Sequence, residues 1–324
     1  MKVAVLDDYA NVSQSITDWS RLQNADITVY NDTLPDEQNV VERLGSFDVV
    51  CLMRERTPFP ASVINALPNL KLIVTTGPRN LSIDLAAASA RNIPVCGTES
   101  RKTTTSELAV LLMLSLSRNL IPEATAMKTR GWQTGLGRDV HGLSLGLIGL
   151  GKIGAQMALL GKAFGMEAHA WSPNLKAAQC DELEVAFQRS LPELMAVSDV
   201  VSVHMVLSER TRGLVDQAAF EAMREKAIFI NTSRGPIADE AALLDGLHNG
   251  RPWKAGLDVY GEEPLPLDHP LRCEPLIESG RLLLSPHLGY VTEQAWQVFY
   301  SQTVDAIEAW QQGSPIRVLN PGLE

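Results

Sequence analysis

Short β-branched runs alternate with amphipathic stretches from the start of the chain. Residues 3–6, 27–30, 49–53, 72–75 and 94–96 read as strands, and residues 12–22, 36–44, 61–67 and 83–90 between them carry a helical apolar period. Nearly continuous apolar strands separated by helices imply a parallel sheet covered on both faces. A long apolar segment, residues 103–120, then predicts a helix halted by Pro122. It is hydrophobic nearly all round, so it must be buried between domains or between subunits. Six further strands are expected at 144–148, 167–171, 200–205, 227–231, 255–259 and 282–285. With their helices they amount to a complete doubly wound dinucleotide-binding domain. A final helix over 292–312 is expected to cross back to the first domain.

Bulk properties narrow this picture only modestly. A chain of 324 residues is too long for one compact core and suits two domains. With 28 basic and 38 acidic residues the formal net charge is −10, which repels polyanions and argues against a nucleic-acid partner. No apolar run is long enough to span a bilayer, and the opening MKVAVLDDYA meets acids too early for a signal peptide, so a cytoplasmic protein without membrane attachment is expected. Cys51, Cys96, Cys180 and Cys273 form no C-x-x-C pair, which points to reduced thiols rather than a zinc site.

Candidate chemistry begins at Gly149-Leu150-Gly151-Lys152-Ile153-Gly154, a G-x-G-x-x-G pattern between an expected strand and an expected helix. In that context Gly149 serves the tight turn, Gly151 admits a pyrophosphate, and Gly154 lets helix and strand pack closely. The N–H groups around Lys152 and Ile153 are ready anion ligands. An acidic residue normally grips the adenosine ribose about twenty positions later, and Ser172 stands there instead, followed by Asn174 and Lys176. Serine neither repels a 2′-phosphate nor binds two hydroxyls as a carboxylate does, so NAD and NADP both remain open.

Three motifs then end successive late strands, where open α/β sheets place their ligands: Asn231-Thr232-Ser233-Arg234-Gly235, Leu257-Asp258-Val259-Tyr260-Gly261-Glu262-Glu263-Pro264, and Ser285-Pro286-His287-Leu288-Gly289. In combination these motifs resemble the D-isomer-specific 2-hydroxyacid dehydrogenase family, which includes phosphoglycerate, glycerate and hydroxypyruvate enzymes, and the likeness covers essentially the whole chain. The resemblance implies α/β architecture with two doubly wound parallel-sheet domains. A Rossmann domain, residues 99–287, is inserted into a smaller flavodoxin-like substrate domain, residues 1–98 plus 288–324, with the active site in the cleft between them.

It also implies hydride exchange between a nicotinamide cofactor and a small D-2-hydroxy acid or 2-keto acid. His287 then acts as general acid and base, since imidazole titrates near neutrality. Glu263 orients that ring and stabilises its charged form, whereas Glu262 sits one position off the family's glutamate. Arg234 holds the substrate with its planar fork of donors. Asp258 resembles the family's aspartate beside the nicotinamide carboxamide, and His204 and Thr232, at strand ends, face the ribose and nicotinamide.

Family members grip the substrate carboxylate with N–H groups of a glycine-rich loop, which here reads Thr75-Thr76-Gly77-Pro78-Arg79-Asn80. Pro78 removes a donor and Arg79 adds a guanidinium. Arg54, Gly77, Arg79 and Asn80, with Arg56 a weaker candidate, are thus expected around a small anionic substrate. Trp132 is expected either to close one side of the site or to be core. The apolar helix points to a homodimer. The competing reading is a dinucleotide-binding redox sensor or regulator of the same fold with little turnover.

Overall fold

The computed structural model describes residues 1–101, 103–320 and 322; Lys102, Pro321, Leu323 and Glu324 lie outside the described residues. Its contacts divide the chain into two compact units, Met1–Arg101 with Thr292–Glu324, and Lys102–Val291.

In the first unit, strands β1 (Lys2–Val5), β2 (Asp26–Val29), β3 (Val49–Leu52), β4 (Leu72–Thr75) and β5 (Val95–Cys96) form a parallel sheet in the order β2-β1-β3-β4-β5. This is the flavodoxin-like order, in which the strand sequence reverses direction between β1 and β3. Both faces are covered, so β3 and β4 are buried along their whole length and tolerate no polar alternation. Helix Glu293–Gln311 returns to this unit, capped by Thr292, whose hydroxyl accepts from the N–H of Ala295. Its buried stripe includes Ala295, Trp296, Phe299, Tyr300, Thr303 and Val304, a helical spacing, and each large side chain shielded there stabilises by roughly 1.5–3 kcal/mol. The expected helix over 12–22 is instead two short turns, Ser13–Ile16 and Trp19–Arg21. Thr17 is extended and the Asp18 carboxylate takes the N–H of Ser20, a local hydrogen bond that competes with helix continuation.

In the second unit, β6 (Ser144–Ile148), β7 (Glu167–Trp171), β8 (Ala186–Phe187), β9 (Val200–Val203), β10 (Ile228–Asn231), β11 (Lys254–Leu257) and β12 (Leu282–Leu284) lie parallel in the order β12-β11-β10-β9-β6-β7-β8. That is the dinucleotide-binding order with one further strand beyond the sixth. The strand not anticipated, β8, is a two-residue exposed edge, too short to leave a periodic signal. Order reverses between β6 and β9, and a crevice outside the carboxyl ends of those strands is where such sheets bind ligands.

The apolar segment also differs from expectation. Helix Thr104–Ser117 stops before Asn119, which is left-handed at φ 54°, and a second helix, Leu120–Lys128, sets off with a bend of 66°. Pro122 is no terminator: it occupies the first turn of that second helix, where its missing N–H leaves nothing unbonded. Burial is one-sided. Ala109, Leu112, Met113 and Leu116 are buried, but Leu111, Leu120, Ile121 and Met127 are exposed. Among the described residues no single helix is long and apolar enough to cross a membrane. All four cysteines are free.

Candidate active site

The turn after β6 is shaped by what glycine omits. Gly149 has φ +103°, and a Cβ there would fall 2.6 Å from the carbonyl oxygen of His204. A Cβ on Gly154 would fall 2.1 Å from the carbonyl oxygen of Gly149, so helix Lys152–Ala163 can approach the strand only with glycine at that position. Gly151 is different: a Cβ there would meet nothing within 4 Å. The space above it is open, and Gly151 at the cap position has no side chain to cap the helix, whereas Ser190, Asp216 and Asp239 cap later helices of the same unit. An uncapped helix start facing open space fits a pyrophosphate.

Two shielded polar atoms lie further along the same sheet edge. His204 Nε2, just past β9, and Thr232 Oγ1, just past β10, are cut off from water with no hydrogen-bond partner among the described residues. Burial drops the His204 imidazole from 6.5 to about 4, so its ring is neutral and offers one donor and one acceptor. Shielded groups without partners are rare in folded proteins, and each calls for a partner such as a ligand or a water. These features fit a bound dinucleotide. At the end of β7, Ser172 is half-buried while Asn174 and Lys176 are exposed.

The catalytic candidates leave β10, β11 and β12 in turn. His287 Nδ1 and Glu263 Oε2 are 2.6 Å apart, each side chain 19% exposed, and Glu263 Oε1 accepts the N–H of Tyr260 at 2.9 Å. Both carboxylate oxygens are therefore engaged, and the ring is oriented from one side. Tyr290 packs edge-on against the imidazole at 5.2 Å. His287 is left-handed at φ 54°, a backbone state costly for a residue with a Cβ. Asp258 holds it there: one oxygen accepts from Ser285 Oγ at 2.6 Å and the N–H of Leu288 at 2.7 Å, the other from the N–H of Gly289 at 2.8 Å. Burial pushes the Asp258 carboxyl upward, against the pull of Ser285, the Leu288 N–H, the His287 charge and the Gly289 N–H. Its carboxylate is thus built into the histidine turn.

Arg234 is half-buried, with Nη1 on the carbonyl of Ser233 at 2.8 Å. Its carbonyl accepts from Asn231 Nδ2 at 3.0 Å, which folds the chain back at the end of β10. Gly235 presses that turn onto the next one, since a Cβ there would sit 2.0 Å from the carbonyl carbon of Tyr260. Glu262 is exposed. Sequence reasoning gave no role to Tyr260, Ser285, Tyr290 or Glu240, because each acts through contacts that no local pattern encodes.

In the five-stranded unit, Arg54 follows β3 with φ 52°, and its N–H donates to Thr76 Oγ1 at 3.0 Å. Its guanidinium rests on Gly77: a Cβ at that glycine would fall 2.1 Å from Nη1. Glu55 lies 3.8 Å from Arg54 Nε, and Arg56 is half-buried. Arg79 is exposed and has no ion pair among the described residues. Two expected ligands take other parts. The Gly77 N–H donates to Thr98 Oγ1 at 2.7 Å, so it is not a free donor for a carboxylate. Asn80 is buried, its amide nitrogen on the Arg54 carbonyl and Thr75 Oγ1, its oxygen accepting from Ser82. It braces the loop from within rather than facing a ligand. Trp132 is 74% exposed, which removes the core alternative.

Known proteins share this organisation. Residues 110–289 match the model of the D-isomer specific 2-hydroxyacid dehydrogenase, NAD binding domain. A glycerate dehydrogenase of Methylorubrum extorquens is 31% identical, over 90% of each chain. A hydroxypyruvate reductase of Blautia hydrogenotrophica is 28% identical, over 99% of this chain and all of its own. The crystal structure of a phosphoglycerate oxidoreductase from Vibrio cholerae superposes with a TM-score of 0.89 at 34% identity, covering 97% of this chain and 100% of that one.

Proposed function

The chain belongs to the D-isomer specific 2-hydroxyacid dehydrogenase family, and from that premise we propose that it reduces a small 2-keto acid to the D-2-hydroxy acid, and the reverse, with His287 moving the proton. The observation that carries this reading is the 2.6 Å contact between His287 and Glu263, set at the ends of neighbouring strands in a dinucleotide fold.

A nicotinamide dinucleotide held by these residues would supply or accept the hydride exchanged with the substrate's second carbon. Gly151 and the helix start at Lys152 and Ile153 would hold its pyrophosphate, and the unpartnered His204 Nε2 and Thr232 Oγ1 would find hydrogen-bond partners on it. With Nδ1 committed to Glu263, His287 has Nε2 left to give a proton to the keto oxygen or take one from the hydroxyl. Glu263 keeps the imidazole in that tautomer and balances its charge when protonated. Asp258 locks the turn, so ring orientation is settled before substrate arrives. Arg234 binds the carboxylate and the reacting oxygen through its fork of donors. Arg54 and Arg79 give the five-stranded unit a guanidinium pair for a small anionic substrate.

Ser172 places no carboxylate against a 2′-phosphate, and Asn174 and Lys176 stand exposed beside it, which supports use of either NADH or NADPH. The exposed apolar side chains of Leu111, Leu120, Ile121 and Met127 support a homodimer. Sedimentation showing only monomer at micromolar concentration removes that part.

A panel of keto acids, including hydroxypyruvate, glyoxylate and pyruvate, assayed with each reduced dinucleotide tests the proposal. Dinucleotide oxidation with at least one acid is expected, at a rate that distinguishes members of the panel. A chain that binds the dinucleotide tightly yet oxidises it with none is a sensor rather than an enzyme.

A further inference from the structure

The turn that carries Glu263 is held from outside. Two consecutive N–H groups of residues 260–263 point at carboxylates: Tyr260 donates to Glu263 Oε1 at 2.9 Å, and Gly261 donates to Glu240 Oε1 at 2.8 Å. Glu240 opens helix Glu240–Asn249, only a few residues beyond the Arg234 turn. Its carboxylate lies over Gly261 in van der Waals contact, both oxygens 3.5 Å from the place a Cβ would take. Its second oxygen is 3.5 Å from His269 Nε2, and His269 Nδ1 accepts the N–H of Leu271 at 3.2 Å. Downstream, Arg272 donates to the carbonyls of Pro266 at 2.7 Å and Leu265 at 2.8 Å. Glu240 is thus a bridge, beside the contact of Gly235 with Tyr260, between the segment that follows Arg234 and the loop that carries Glu263.

We propose that Glu240 is a positioning residue for the Glu263–His287 pair, acting as the acceptor that fixes the 260–263 turn; this rests on the reading that the pair moves the proton. Glu263 has one oxygen on its own turn and the other on the imidazole, so a shift of the turn moves the carboxylate against the ring. If Gly261 loses its acceptor, the turn relaxes toward water and the short Glu263–His287 contact lengthens. Misplacement on the scale of an ångström costs up to about a hundredfold in rate, and an exposed hydrogen bond such as this one controls a fraction of that.

The competing role for Glu240 is that of an acid in the first turn of its helix, which stabilises the helix through its charge. The two roles separate in Glu240→Ala and Glu240→Gln, because glutamine keeps the oxygen and loses the charge. We expect Glu240→Ala to lower kcat about tenfold, with KM for keto acid and dinucleotide within about twofold. Glu240→Gln should recover kcat to within about threefold of the parent chain. If the alanine variant does not fold, Glu240→Asp, which draws the carboxylate back by one methylene and keeps its charge, should show the same kcat loss. A parent-like kcat in the alanine or aspartate variant overturns the proposal. So does a loss shared equally by alanine and glutamine that follows a lowered Tm, or a rise in KM alone. His287→Ala is assayed alongside: if that variant keeps full turnover, the reading beneath the proposal falls, and not only the part given to Glu240.

Discussion

The ends of β10, β11 and β12 in the seven-stranded unit and the ends of β3 and β4 in the five-stranded unit are built on opposite principles. At the first, polar groups are committed to one another: Glu263 to His287 and Tyr260, Asp258 to Ser285, Leu288 and Gly289. At the second, the backbone is braced by Thr98 and Asn80, while Arg79 extends into solvent. On the function proposed here, the contrast is a division of labour. Proton transfer needs geometry settled in advance, because every step of reorganisation raises the barrier. Recognition of an anion tolerates longer-range charge, so its groups can be carried on loops braced only at their roots.

The strongest blow to this division is His287→Ala. Loss of the proton carrier should lower turnover about a thousandfold while dinucleotide binding, followed by quenching of protein fluorescence, stays within a few-fold of the parent. Turnover that survives intact would mean the committed end is a structural ion pair. Arg54→Ala sharpens the other side: KM for the keto acid should rise about thirtyfold with a smaller change in kcat, and Arg79→Ala should follow with a lesser rise. Equal KM in all three chains would strip the arginines of their role in recognition.

Ser172→Asp tests the dinucleotide end of the same sheet. A carboxylate there should reduce kcat/KM with NADPH about tenfold relative to NADH, and an unchanged ratio would place the 2′-phosphate elsewhere. The smallest effect concerns stability in the ligand-free protein. His204 stays neutral in the folded state down to about 4, whereas the unfolded chain takes up its proton near the ordinary 6.5. Its contribution is therefore complete above pH 6.5 and is lost as pH falls toward 4. Asp7 and Asp258, whose carboxyls burial pushes upward, change stability in the opposite sense as pH falls, so only the difference from a variant isolates His204. Urea midpoints of the parent chain and His204→Gln at pH 7.5 and 5 should converge at the lower pH, and parallel curves would remove the assignment.

Much of the framework was readable from residue order. Short, nearly continuous β-branched runs located every expected strand, and their lack of polar alternation announced parallel sheets. The glycine motif needed only its neighbours to become specific. At Gly151 a side chain would meet open space rather than packing. Failures occurred where a single residue's backbone state outweighed periodicity. Asn119, left-handed, ended a helix that its apolar pattern would have continued, and Pro122 then served a helix start. A glycine-rich loop suggests free N–H groups, and nothing local says that Thr98 takes the one at Gly77 or that Asn80 turns inward to Arg54 and Thr75.

Residue order alone announced most of the elements, their order, and which motifs end the late strands of the sheet, because hydrophobic period and glycine placement act over a few residues at a time. Only the tertiary structure decided that Asp258 binds the histidine turn, that Gly235 must be bare for the Arg234 turn to lie on Tyr260, and that Glu240 reaches Gly261. Those contacts join residues far apart along the chain, and a hydrogen bond exists only where two such segments have been brought within about 3 Å by everything packed around them.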